Sequence, residues 1–245
     1  MPAVVTTSAS APTPASRPVP AFGLALAVFA AAVVATKLVP RSITGSHPWV
    51  AQGCQQGLMV LVAVGAMIAS GRPLAAFGFR RAKIEWPLAL AGVLFGAVAT
   101  DITLLLGLPG MRTVASRYNF PTLVLWVWIV SSVAEEIFCR GWFQSLAAGW
   151  DSDPRAARVA TVWSAALFGS LHLVLLIAGI DLASFAIILV SVTALGYVCA
   201  VARARSGSLV PAIAAHVGFN IGGFLGGLAY AIAYRITTGH LPFAR

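Results

Sequence analysis

Two adjacent glutamates and an arginine interrupt an apolar run in the stretch SSVAEEIFCR, Ser131 to Arg140. A lone charge in a dry segment costs several kcal/mol, so carboxylates there need a partner or a task. On a helix, residues four apart share a face, so Glu136 can pair with Arg140 while Glu135 projects about 100° away. That spacing divides the work: Glu136 and Arg140 form a structural ion pair, and Glu135 is left to face a polar cavity as a candidate general base. Two further apolar stretches each carry a histidine. FGSLH holds Phe168 and His172, and HVGFN holds His216 and Asn220, whose separation sets both side chains on one helical face.

Each of these residues has an ordinary structural explanation. A single histidine or asparagine within an apolar helix is commonly an interhelical hydrogen-bonding group. Phe168 reads as packing, and Glu136 with Arg140 is structural on any reading. Their coincidence on three segments, in a chain with seven acidic residues and four histidines, points to a functional site. Polar groups at membrane depth turn toward one another or toward a water-filled cavity, because lipid offers no partner.

The ordered trio EExxxR (Glu135, Glu136, Arg140), FxxxH (Phe168, His172) and HxxxN (His216, Asn220) resembles the CPBP family of intramembrane proteases. This is the CAAX protease and bacteriocin-processing, or Abi, family, which includes the type II CAAX prenyl endopeptidases. The resemblance implies hydrolysis of a peptide bond in or near the bilayer, in a membrane-associated or lipidated peptide or protein. By motif position it makes Glu135 the base that activates water, helped by His172, with His216 and Asn220 stabilising the developing oxyanion. Glu135, His172 and His216 could also supply three ligands to a divalent metal such as zinc, with a position open for water. The HExxH spacing is absent, the two histidines being 44 positions apart. A metalloprotease and a glutamate-dependent, metal-free protease are both compatible with these residues. The competing reading is a non-proteolytic membrane scaffold or bacteriocin-immunity-type protein that retains the fold. A proton-coupled transporter is disfavoured, since no internal repeat is visible.

The elements that must position these groups are membrane-spanning helices. The 245 residues are 59% hydrophobic and 9% charged, with mean hydropathy +0.90, far from the ordinary soluble balance. Apolar runs of spanning length recur, and the alternating segments of a transmembrane barrel are missing. The expected fold is all-α: a polytopic bundle of about seven spans, with eight conceivable, CAAX-protease-like in type and resident in the cell membrane. The expected spans are Phe22 to Val39, Gln52 to Ala69, Trp86 to Leu106, Pro121 to about Trp150, Arg158 to Leu176, Ile180 to Ala202 and Leu209 to Ala233. Asp101 falls inside the third and is expected to make an interhelical hydrogen bond. Asp181, in the short connection before the sixth, is expected to cap its helix.

Residues 1–21, rich in Pro, Ala, Ser and Thr, read as a disordered cytoplasmic tail and not a signal peptide. The amino-terminal helices would occupy 22–120, the catalytic core 121–235 and a short tail 236–245. The net charge of +9 arises from sixteen basic residues scattered through the connections, which suits loop anchoring and argues against nucleic acid. Outside the motif, nine fall on the side of the amino terminus and six on the other, favouring a cytoplasmic amino terminus. Cys54, Cys139 and Cys199 have no metal or redox spacing and read as small core residues. The implied partners are the lipid bilayer and a peptide or protein substrate in or at the membrane.

Overall fold

A computed structural model describes residues 18–40, 42–43, 48–108, 119–149 and 153–240; most of the expected amino-terminal tail, and Trp150, lie outside them. The described residues form seven helices long and apolar enough to cross a membrane. These are α1 (Pro18–Ala35, ending in a 3-10 turn to Leu38), α2 (Pro48–Ala69), α3 (Trp86–Leu105), α4 (Phe120–Ala148), α5 (Pro154–Leu171, extended by a turn at Val174–Ile177), α6 (Leu182–Ser206) and α7 (Val210–Thr238). Leu61, Leu94 and Val190 are 69%, 69% and 71% exposed, which only a lipid surround makes ordinary for so many large apolar side chains.

The helix ends follow local chemistry. Asn119, Asp153 and Asp181 cap α4, α5 and α6 by accepting the N–H of Thr122, Arg155 and Ser184, and proline stands in the first turn of α3, α4, α5 and α7. The Ser184 hydroxyl and amide hold the Asp181 carboxyl below its ordinary range. α6 and α7 stop at Gly207 and Gly239, both in the left-handed region that glycine adopts freely. α1 is already helical at Pro18, the first described residue of the segment and four residues before the expected start. α7 continues to Thr238, past the expected boundary at 235.

Two contacts decide where the polar residues meet. α3 and α7 pack backbone to backbone along glycines. A Cβ on Gly96 would strike the Phe219 carbonyl, and one on Gly222 the Val93 carbonyl. α4 is tied to its neighbours by polar side chains: Gln144 donates to the Ala200 carbonyl of α6 at 2.9 Å, and the Ser164 hydroxyl of α5 donates to the Cys139 carbonyl at 3.2 Å. Phe138, Phe143, Phe168, Leu167 and Leu195 fill the space between these helices. α5 and α6, joined by a short connection, pack as antiparallel neighbours. The interhelical hydrogen bond expected of Asp101 is not made by its Oδ1, which is buried and finds no partner among the described residues.

Candidate active site

α4 is not a uniform α-helix. Its turns widen to π-helix over Leu123–Ser131 and Ile137–Phe143, and the α-helical turn between them, Ser132–Glu136, carries both glutamates. π turns are rare and recur at functional sites. Glu136 and Arg140 are fully buried and paired at 2.9 Å. Arg140 also donates to the Gly196 carbonyl of α6 at 2.8 Å, and its guanidinium lies 4.5 Å from the centre of the Phe168 ring. That ring stands edge-on to His216 at 5.2 Å and 5.0 Å from His172, so Phe168 packs against the cation and both imidazoles.

The second glutamate faces elsewhere. Glu135 borders a cavity of about 770 Å³ in the half of the bundle where α2, α4 and α6 begin, a space that His172, His216 and Asn220 also line. Oε1 of Glu135 accepts from the Ser131 hydroxyl at 2.6 Å and from Nε2 of Gln56 at 3.0 Å. Oε2 lies 3.9 Å from Nε2 of His216, too far for a hydrogen bond.

The hydrogen bonds set the tautomers of both histidines. Nδ1 of His216 lies 3.0 Å from the Glu136 carboxylate, and Nδ1 of His172 lies 2.8 Å from the Phe168 carbonyl, which can only accept. Each Nδ1 therefore carries a proton, and either ring in its neutral form has its lone pair at Nε2. Asn220 donates to the Ser132 hydroxyl at 3.0 Å and to the Val127 carbonyl at 3.4 Å. All four residues expected to be catalytic thus line one cavity, while the three supporting residues form the packed, dry wall behind it.

Nε2 lone pairs are the form a metal would need. Among the described residues, however, no group of three His, Cys, Asp or Glu side chains is arranged to hold a metal ion, so Glu135, His172 and His216 do not assemble as a ligand set. Glu135 is held at Oε1 by neutral donors, His172 by the Phe168 carbonyl of its own helix and His216 by Glu136 of α4.

Gln56, Ser131 and Ser132 went unassigned in the sequence reading. A signal existed for the first: Gln52, Gln55 and Gln56 are three amides in one otherwise apolar span, and all three line the cavity.

Residues 117–222 match the family model described as type II CAAX prenyl endopeptidase Rce1-like. The match begins just before α4 and ends two residues beyond Asn220, so it contains every expected site residue and leaves α1, α2 and α3 outside. No curated protein and no solved structure matches the chain.

Proposed function

We propose, because residues 117–222 match the type II CAAX prenyl endopeptidase Rce1-like family model, that the chain is an intramembrane protease of that kind and hydrolyses a peptide bond in a membrane-associated or lipidated peptide or protein, with Glu135 activating water. The observation that carries this reading is the meeting of Glu135, His172, His216 and Asn220 on the wall of one cavity inside the bundle that the described spanning helices form.

The arrangement suggests a sequence of proton movements. Water near Oε2 of Glu135 gives up a proton to that oxygen as its own oxygen bonds to the substrate carbonyl carbon. His216 is suited to receive the proton at Nε2, 3.9 Å away, because Glu136 at its Nδ1 compensates the imidazolium that results. The imidazolium can then protonate the departing amine as the C–N bond breaks. His172, with its Nε2 lone pair open, assists Glu135 in holding the water. Asn220 is the amide donor to the oxyanion, and it must exchange its bond to Ser132 for one to the substrate oxygen. In the neutral tautomer His216 cannot donate from Nε2, so its contribution to the oxyanion requires the imidazolium.

An internally quenched peptide ending in a prenylated Cys-aliphatic-aliphatic-X sequence, presented in detergent micelles, tests the reading. Glu135→Ala is expected to lower kcat by about 10²- to 10⁴-fold. Wild-type turnover in that variant sinks it. Undiminished turnover in protein freed of metal by a chelator removes the zinc version.

Orientation enters the proposal too. Arg72, Arg80, Arg81 and Lys83 follow the end of α2, and Arg203 and Arg205 lie in the last turn of α6, opposite the cavity. If that basic end is cytoplasmic, the cavity belongs to the other half of the bilayer. Labelling by an impermeant thiol reagent of a cysteine placed at Arg81 in intact cells would reverse this assignment.

A further inference from the structure

Gln56 lies on α2, far outside the stretch that matches the family, yet it touches the proposed base directly. Its Nε2 is 3.0 Å from Oε1 of Glu135 and 3.0 Å from the Ser131 hydroxyl oxygen, and that hydroxyl donates to the same Oε1 at 2.6 Å. The two acceptors lie so close together that a single amide N–H is shared between them. The opposite amide orientation would aim a carbonyl oxygen at a carboxylate, so the network itself decides which atom is nitrogen. The triangle leaves Glu135 with one occupied oxygen and one, Oε2, turned toward His216 and the cavity.

We infer that Gln56 is a positioning residue for Glu135: with Ser131 it locks the carboxylate so that Oε2 is the oxygen presented to water. The inference rests on the reading of Glu135 as the base. Two observations separate Gln56 from ordinary interhelical glue. Its amide is aimed at the proposed base and not at a backbone carbonyl, the target chosen by Gln144 on the dry side. Gln56 is also 5% exposed with Oε1 buried and unpartnered at the cavity wall, a cost that a packing residue such as methionine would avoid. A neutral donor suits the task, since a lysine or arginine there would hold the carboxylate in a permanent ion pair, as Arg140 holds Glu136.

The test compares Gln56→Met, Ser131→Ala and the double variant on the prenylated quenched peptide, each checked by thermal unfolding in detergent. Gln56→Met removes a hydrogen bond to a charged group and is expected to lower kcat roughly 10- to 100-fold while KM stays within about twofold. Ser131→Ala lowers kcat less. The double variant falls little below Gln56→Met, because both groups act through one oxygen. A kcat within about twofold of wild type in Gln56→Met, or losses that multiply in the double variant, overturns the inference. Should Gln56→Met fail to fold, Gln56→Asn, whose shorter amide cannot reach Glu135, carries the same expectations.

A second readout needs no turnover. Modification of Glu135 by a hydrophobic carbodiimide, followed by mass spectrometry, is expected to rise several-fold in Gln56→Met, since the lock on the carboxylate is gone. Unchanged modification overturns the role of Gln56. Raised modification in a protein whose wild type never cleaves the peptide supports the lock and counts against the protease reading alone.

Discussion

Glu135 and Glu136 are consecutive on one helix, yet Glu136 is fully buried against Arg140 and His216, whereas Glu135 keeps 14% side-chain exposure and borders the cavity. Behind Glu136 the wall is dry: Arg140 reaches the Gly196 carbonyl and stacks on Phe168, and Gln144 binds the Ala200 carbonyl. In front of Glu135 the partners are neutral, a glutamine amide and a serine hydroxyl, both on one oxygen. A membrane helix can therefore carry a carboxylate in two ways. A fixed cation compensates its charge permanently, or neutral donors steady it and leave one oxygen for chemistry. His216 touches both settings, with Nδ1 on Glu136 and Nε2 toward Glu135, and so couples the rigid wall to the reactive one.

Exchanging the charge on each side tests the division. Glu135→Gln keeps shape and hydrogen bonding, so the unfolding temperature should stay near wild type while kcat falls by about 10²- to 10⁴-fold. Arg140→Met should do the reverse in kind. It leaves Glu136 buried without its cation, a loss of about 3–5 kcal/mol in stability measured by denaturant unfolding in detergent. If Glu135→Gln unfolds the protein, or Arg140→Met leaves its stability unchanged, the two walls are not distinct in the way proposed.

A smaller effect is expected where the two settings are held in register. α7 brings His216 and Asn220 to α4 because its other face lies against α3 with no side chain between, at Gly96 and Gly222. Gly222→Ala inserts a methyl against the Val93 backbone and should cost about 1–3 kcal/mol, with a fall in kcat as His216 moves relative to both glutamates. Gly65→Ala, on α2 with open space at its Cβ, is the control and should be neutral. Equal effects from the two would mean that the close α3–α7 seam does not set the site.

Much of this was legible in the sequence because the relevant rules are local. Apolar runs gave seven spans, and spacings of four residues related Glu136 to Arg140 and His216 to Asn220. Gln56 was not legible as a partner of Glu135, since the two are 79 positions apart and no periodicity links separate spans. The polar stripe it belongs to, Gln52, Gln55 and Gln56, was visible but neutral, and attention to charge passed over it. Histidine tautomers were out of reach for the same reason: they depend on which acceptor, the Phe168 carbonyl or the Glu136 carboxylate, each Nδ1 meets after packing. Glycine counts do not announce that Gly96 and Gly222 face opposing carbonyls.

The smallest effect belongs to a third kind of carboxylate, which marks the limit of the comparison. Asp181 sits between α5 and α6, outside the spans, and is stabilised neither by a cation nor by a cavity but by the Ser184 hydroxyl and the Ser184 N–H in the first turn of α6. Its proton affinity is lowered by those bonds, so its folded value lies below the unfolded one near 3.9. The stabilisation is then complete above the unfolded value and is lost as pH falls through the lower, folded one. Exchange protection of the Ser184 amide should accordingly be constant from neutral pH down to about 5 and decline below about 4. Asp181→Asn retains an acceptor oxygen without the titration, so protection there should lose its acid dependence with little change at neutral pH. An acid-dependent loss at this turn that persists in Asp181→Asn would show that the cap is not its source. The charge at a helix end would then have to be counted with those of the membrane interior.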